Sequence, residues 1–142
     1  MYREIFRVDY DGSPPIRDTI SDDDVIVDRY NIESTKTTSK LAMDIVTSEW
    51  KPRTSHTTWL VVMWPDKGDT NSKDMIASLK SKYCVRARIT YISPLQKDKR
   101  LIIYMSYGGY LLKFEPSYDK LSELSGMMVG DDIFVSISYA LS

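Results

Sequence analysis

The dipeptide Gly108-Gly109 lies between two runs in which every second residue is apolar or aromatic. Because glycine adopts positive φ without steric cost, this dipeptide predicts a two-residue hairpin turn between antiparallel strands. The turn aligns three pairs of residues: Tyr107 with Tyr110, Met105 with Leu112, and Ile103 with Phe114. All six side chains then share one face, and a shift of one residue would mix apolar with polar side chains. The pattern therefore predicts a hairpin with one buried face.

A third strand is predicted just before this hairpin. A loop centred on Gln96 would join residues 84–92 to residues 100–107 and oppose apolar residues on one face. The opposed pairs are Val85 with Tyr107, Ala87 with Met105, Ile89 with Ile103, and Tyr91 with Leu101. The sequence thus predicts a three-strand meander over about residues 84–114.

The opposite, solvated face of this meander is predicted to carry a row of cations around an aromatic ring. Arg88, Tyr104 and Lys113 would lie side by side. A ring between cations can stack a base while the cations hold phosphates. The predicted polyanion-binding residues are Arg86, Arg88, Tyr104, Lys113, Lys97, Lys99 and Arg100. The alternative interpretation is an ordinary solvated face with an Arg–Tyr pair.

The other segments after residue 50 add two strands and two helices. The continuous apolar run at residues 59–64 predicts a strand buried on both faces. Residues 71–83 fit a helix with one apolar stripe, and residues 117–124 fit a short helix. Residues 133–141 alternate as a strand with Ser136 and Ser138 facing outward.

The first 50 residues are less regular. Residues 2–10 alternate as a strand, and residues 25–27 suit a short strand. Residues 34–39 are typical of an exposed linker, and residues 41–45 fit either a strand or a helix.

Together these elements predict an α+β fold. A mainly antiparallel sheet would contain the meander at about 84–114, with helices at about 71–83 and 117–124 on one face. The alternative topology is a ferredoxin-like βαββαβ arrangement over residues 57–142. We expect a single domain over residues 1–142, with an acidic, loop-rich N-terminal segment at residues 1–49.

The net charge of −1 conceals three blocks of opposite sign. Residues 1–49 carry a net charge of −5, residues 50–113 carry +8, and residues 114–142 carry −4. Charge that is segregated in this way steers partners. It points to an anionic ligand for the middle block or to contact between copies of the chain.

Candidate catalytic and metal-binding residues are sparse. His56 and Cys84 are the only histidine and cysteine, so a zinc site of the usual composition lacks ligands. The acidic run at residues 22–24 lacks the glycine and closing glutamate of a calcium loop. Asp131 and Asp132 have no basic or hydroxyl partner in the pattern. We therefore expect no catalytic residue, no cofactor and no metal site.

Three classes of function remain open. The favoured class is a non-enzymatic structural protein that self-associates as a homo-oligomer, similar to a viral matrix-type assembly protein. Its basic middle block would contact an anionic partner: nucleic acid, nucleoprotein or an anionic membrane surface. The first alternative is a single-stranded RNA-binding module, although a pI near 5.8 argues against a dedicated nucleic-acid binder. The second alternative is a small enzyme.

The expected location is the cytoplasm, or the host cytoplasm or virion if the protein is viral. The longest apolar run has six residues, far below the roughly 20 that span a bilayer. The N-terminus leads directly into strand-like sequence, without the pattern of a signal peptide.

Overall fold

Alternating apolar residues along eight strands close this chain into an antiparallel β-barrel. The computed structural model describes residues 1–8, 25–68, 70–93 and 100–140. The strands are β1 (Tyr2–Arg7), β2 (Val27–Ser34), β3 (Lys40–Val46), β4 (Thr58–Pro65), β5 (Tyr83–Ser93), β6 (Ile102–Tyr107), β7 (Tyr110–Glu115) and β8 (Asp132–Tyr139). The helix α1 (Thr70–Leu79) follows β4, and a 3-10 helix (Tyr118–Leu124) follows β7. Neither of these helices, the two within the described ranges, is long and apolar enough to cross a membrane.

The order of strands around the barrel differs from both predicted topologies. It is β1-β2-β3-β7-β6-β5-β8-β4, and β4 pairs with β1 to close the ring. The predicted α+β fold, with helices on one face of a sheet, is therefore wrong, and so is the ferredoxin-like alternative. The N-terminal strands pair with β4 and β7, which are distant in sequence. Closure pairs the edges that an open sheet would leave exposed.

The hairpin between β6 and β7 has the predicted register. The aligned pairs are Tyr107 with Tyr110, Met105 with Leu112, and Ile103 with Phe114. Both turn residues have positive φ, +58° for Gly108 and +86° for Gly109. This part of the prediction is confirmed, because a two-residue turn leaves only one register for the strands that it joins.

The register between β5 and β6 differs from the prediction. Ile89 faces Met105, two positions from the predicted partner Ile103. The register then shifts at a β-bulge between Ile89 and Tyr91, so Tyr91 faces Tyr104 and is 55% exposed. A two-residue shift keeps each side chain on the same face, so alternation cannot distinguish the two registers. The loop at residues 94–99 lies outside the described residues.

The inner faces of the strands form the core of the barrel. Its largest fully buried side chains include Trp59, Tyr2, Phe6 and Phe114. An eight-stranded barrel has an interior just wide enough for side chains. The core is therefore packed with side chains, and the surfaces that could hold a partner lie on the outside.

Strand β4 is buried on both faces over residues 61–64, as its continuous apolar run predicts. Val62 and Trp64 point away from the barrel interior and are nevertheless buried. The Trp64 ring stacks on Phe134, with centroids 5.4 Å apart. A run without polar alternation is typical of a strand covered on both sides.

Two segments cover the ends of the barrel. Between β3 and β4, Trp50 stacks on Tyr83 with centroids 5.4 Å apart and lies 6.0 Å from Trp59. At the other end, Leu124 of the 3-10 helix joins the core. This helix is the short helix predicted at residues 117–124. The helix predicted at residues 71–83 ends earlier, at Leu79, and Tyr83 instead begins β5.

The sequence pattern gives little indication of β2. This strand has eight residues, whereas the pattern predicts only a short strand at residues 25–27. Asp28 shares the inward face with Tyr30 and Ile32 and interrupts the apolar alternation. Residues 34–39, predicted to be an exposed linker, form the turn into β3, and Ser39 within this turn is fully buried. Residues 41–45 belong to β3.

Candidate functional site

The predicted polyanion face lies on the outside of β5, β6 and β7. Its four strand residues point away from the core: Arg86, Arg88, Tyr104 and Lys113. In the observed register of β5 and β6, Arg88 faces Ser106 instead of Tyr104, so the predicted row of Arg88, Tyr104 and Lys113 does not form. Tyr104 lies between Tyr91 and Lys113, and the two tyrosine rings are 5.9 Å apart.

The two arginines of this face are neutralised by neighbouring aspartates. Arg86 contacts Asp66 through Nε at 2.6 Å and Asp132 through NH2 at 3.0 Å. Arg88 Nε lies 3.1 Å from Asp132. The Asp132 hydrogen bond and its charge raise the pKa of Arg88. The Gly68 N–H and the Arg86 guanidinium hold the pKa of Asp66 below its usual value. The charges of two aspartates thus balance the charges of two arginines on this part of the face.

The remaining predicted residues do not extend the predicted polyanion face. The Arg100 guanidinium donates to the Thr38 hydroxyl at 3.0 Å and to the Pro116 carbonyl at 3.3 Å. These bonds hold Arg100 at the barrel end where the turn between β2 and β3 meets the end of β7. Lys97 and Lys99 lie outside the described residues. The predicted set is therefore divided into an arginine–aspartate cluster, the Tyr104–Lys113 pair and a separate Arg100.

A groove that the predictions miss crosses the outside of β1, β4 and β8. Its floor is a cross-strand row, because Ile5 pairs with Leu60 and Leu60 pairs with Ser138. Ile5 is 37% exposed. This basic groove, with a volume of about 820 Å³, is lined by Arg3, Glu4, Ile5, residues 34–37, Leu60, Leu79, Lys80, Lys82, Lys120 and residues 138–140.

Backbone hydrogen bonds hold both walls of the basic groove against the barrel. On one side, the Thr35 N–H donates to the carbonyl of Ile5 at 3.0 Å, which fixes the turn of residues 34–37 beside β1. On the other side, the Lys82 N–H donates to the carbonyl of Ile137 at 2.9 Å, which fixes the segment after α1 beside β8. The two walls are thus extensions of the same sheet that forms the floor.

The lining of the basic groove carries five basic side chains: Arg3, Lys36, Lys80, Lys82 and Lys120. Lys120 is 3.1 Å from Glu123, and its ammonium also donates to the carbonyl of Arg3 at 3.2 Å. Within the described ranges the other four cations form no ion pair. They come from β1, from the turn after β2 and from the segment after α1, so only the closed barrel brings them together.

Lys80 reaches the rim of the basic groove through an unusual backbone conformation. Its φ is +51°, in the left-handed region that favours glycine, and the conformation ends α1. A residue with a β-carbon pays about 1–2 kcal/mol for this conformation. A single residue in this conformation commonly ends a helix, and here it ends α1 beside the groove.

A buried carboxylate lies beneath the turn that forms one wall of the groove. Glu4 is 6% exposed and accepts hydrogen bonds from the hydroxyls of Tyr2 and Thr37. Burial alone would raise the pKa of Glu4, but the hydroxyls of Thr37, Tyr2, Ser34 and Ser39 together hold it below its usual value. Burial and the neighbouring Glu4 carboxylate raise the pKa of Tyr2. The charge of Glu4 is thus satisfied internally and anchors the wall to β1.

No protein-family model matches this sequence, and no curated protein is significantly similar to it. The function of the protein is therefore argued from its own residues.

Two residues considered for chemistry, Cys84 and Asp131, have defined local environments. Burial raises the pKa of the Cys84 thiol to about 11, so a thiolate is disfavoured near neutral pH. Asp131 accepts a hydrogen bond from the Met128 N–H at 2.9 Å and closes a turn. Within the part of the chain that is described, no three His, Cys, Asp or Glu side chains cluster as a metal site requires.

The basic groove could not be identified from sequence spacing, because its residues come from six separate segments. The sequence contains only a weak signal for this groove. Ile5 and Leu60 occupy outward positions of strands whose inner faces are already apolar. An apolar side chain on a solvated face is common and gives no indication of which strand lies beside it.

Proposed function

We propose that this chain is a non-enzymatic interaction protein that binds an acidic polypeptide in the basic groove. The observation that carries this proposal is the convergence of four unpaired cations, within the described ranges, on an aliphatic floor. Cations without ion-pair partners in the described part of the chain attract anions, and an exposed apolar row favours a ligand with apolar side chains. Self-association through charge, and a matrix-type assembly role, stay predictions.

The chemistry of the floor favours a polypeptide over a nucleic acid. Single-stranded nucleic acids are bound largely by stacking bases on aromatic rings. The floor is formed by aliphatic side chains, Ile5 and Leu60. The aromatic residue in the lining, Tyr139, already has the Arg53 guanidinium 4.4 Å above its ring and Trp50 6.1 Å away. An overall charge of −1 also lacks the excess of cations that polynucleotide binders carry.

The dimensions of the basic groove suit one extended chain. β1 and β8 flank β4, so their backbones are separated by two strand spacings, or about 10 Å. An extended peptide directs successive side chains to opposite sides. Apolar side chains of the peptide can then contact Ile5 and Leu60 while acidic side chains reach Lys36 on one wall or Lys80 on the other.

The proposal is tested with a fluorescein-labelled peptide of alternating Asp and Leu, followed by fluorescence anisotropy. Lys80→Glu combined with Lys82→Glu should weaken binding at least tenfold, about 1.4 kcal/mol, because it reverses two charges of one wall. The matched control is Lys51→Glu with Lys67→Glu, which makes the same charge change at exposed sites outside the groove. Equal affinities for both double variants would reject the groove as the site.

A second variant separates recognition by charge alone from recognition by the apolar floor. Ile5→Ser should weaken binding of the Asp–Leu peptide and leave binding of an oligo-aspartate peptide nearly unchanged. Ile5 is partly exposed, so the fold should tolerate the change. The same loss for both peptides would contradict a role of the floor.

A second candidate function is single-stranded RNA binding by the outer face of β5, β6 and β7. The observation that favours it is the exposed Tyr91, which the register brings beside Tyr104 and Lys113. Two neighbouring rings next to a cation can stack bases and contact phosphate. The pairing of Arg86 and Arg88 with aspartates argues against this function, because it removes most of the positive field of the face.

A further inference from the structure

We propose that the acidic polypeptide bound in the basic groove is residues 9–24 of a second copy of this chain. The inference rests on the proposed function and names the partner for the same groove. Residues 9–24 read DYDGSPPIRDTISDDD and hold six aspartates and one arginine, a net charge of −5. The rest of the chain therefore carries a net charge of +4. The chain itself contains a segment with the charge that the groove requires.

The segment also matches the apolar floor. Ile20 lies between Asp18 and the acidic run at residues 22–24, so an apolar side chain is flanked by carboxylates on both sides. The groove presents the complementary order across its width, with the aliphatic pair Ile5 and Leu60 between cationic walls. Contact of Ile20 with the floor would bring the flanking aspartates within reach of the lysines on the walls.

For the acidic run at residues 22–24, the position of the strand that follows it in sequence favours a second copy as the source. The carbonyl of Ile26 accepts from the Thr47 N–H at 2.8 Å, so pairing between β2 and β3 extends back to Ile26. Ile26 is eight residues before Ser34, which lines the groove, and a strand of that length spans about 26 Å. Val25, which follows the acidic run in sequence, thus lies at the end of β2 that is remote from the groove of its own copy.

The test uses two charge-reversal variants of the full chain. The groove variant is Lys80→Glu with Lys82→Glu, and the segment variant is Asp22→Lys with Asp23→Lys and Asp24→Lys. In each variant alone, the segment and the groove carry charges of the same sign. Each should therefore sediment as a monomer of 16.4 kDa at low salt, where the wild type should assemble. In an equimolar mixture, the unaltered segment of one variant meets the unaltered groove of the other. Mixing should therefore restore assembly.

Analytical ultracentrifugation of the wild type, the two variants and their mixture decides the proposal. The proposal is supported if the wild type assembles, each variant alone assembles at least tenfold more weakly, and mixing the two variants restores assembly. A monomeric wild type at low salt, or a mixture that stays monomeric, overturns it. Circular dichroism checks that each variant is folded. If the segment variant is unfolded, Asp22→Asn with Asp23→Asn and Asp24→Asn replaces it. This triple Asn variant should also lose assembly. Binding of the Asp–Leu peptide to the monomeric protein tests the proposed function separately, so either proposal can fail without the other.

Discussion

Glu4 illustrates at the scale of one residue how the wall of the basic groove is held. Its carboxylate accepts from Tyr2 on its own strand and from Thr37 in the turn after β2. The Thr37 hydroxyl is also 3.1 Å from the Ser39 hydroxyl, which accepts from the Ser117 N–H at 2.8 Å. A chain of hydrogen bonds thus connects β1, the turn and the segment before the 3-10 helix. A buried carboxylate is retained at low cost only when such bonds satisfy it.

Replacement of Glu4 should destabilise the fold by an amount that depends on pH in a defined direction. The folded pKa of Glu4 lies below its ordinary value of 4.5, so its stabilisation is complete above pH 4.5 and is lost as the pH falls through the folded pKa. Glu4→Gln should lower the free energy of unfolding by about 1–3 kcal/mol at pH 7, and by progressively less below pH 4.5. Urea denaturation of the wild type and Glu4→Gln at pH 7 and at pH 3 measures this difference.

Glu33→Gln is the matched control for this prediction, because Glu33 is exposed on the neighbouring strand. This change should alter the free energy of unfolding by less than about 0.5 kcal/mol at either pH. A Glu4→Gln effect of constant size from pH 7 to pH 3 would show that the charge of Glu4 is not what stabilises the fold.

At the scale of the elements, the β-bulge in β5 determines which side chains share the outer face. The predicted row has Arg88, Tyr104 and Lys113, whereas the register before the bulge sets Arg88 opposite Ser106 and the bulge brings Tyr91 beside Tyr104. A bulge inserts one extra residue and re-aims the side chain that follows it. Alternation along β5 therefore predicts the faces before the bulge and fails after it.

Any binding of single-stranded RNA by this face should depend on the tyrosines and not on the arginines. Tyr104→Ala should cost about 1–3 kcal/mol of binding to an oligouridine, because it removes a stacking ring. Arg88→Ala should change the affinity little, because Asp132 already neutralises Arg88. Filter binding of the two variants measures both effects. A larger loss for Arg88→Ala than for Tyr104→Ala would reject this assignment of roles.

At the scale of the whole molecule, the segregated charge of the chain should make any assembly of copies sensitive to salt. Fields between oppositely charged surfaces are screened within about 10 Å at 0.1 M salt and about 3 Å at 1 M. The mass measured by light scattering should therefore fall toward 16.4 kDa as salt rises. A mass that increases with salt would indicate an apolar interface between copies instead.

The elements predicted correctly are those whose information is local. The β6–β7 hairpin follows from Gly108-Gly109 and its flanking alternation, and β4 follows from its continuous apolar run. The strand β2 is largely missed because the inward Asp28 breaks the pattern. Of the candidate site, the sequence predicts the outward direction of Arg86, Arg88, Tyr104 and Lys113 but not their aspartate and tyrosine neighbours.

Local sequence patterns are enough to predict the inward residues of regular strands such as β7, the turn of one hairpin and the distribution of charge along the chain. These properties depend on the two-residue period of a strand, on backbone freedom at glycine and on composition. Closure of the strands into a barrel, and with it the meeting of Arg3, Lys36, Lys80 and Lys82 around Ile5 and Leu60, becomes visible only in the folded chain. Pairing between distant strands depends on which edges remain unpaired once all inner faces are buried, and no local pattern contains that information.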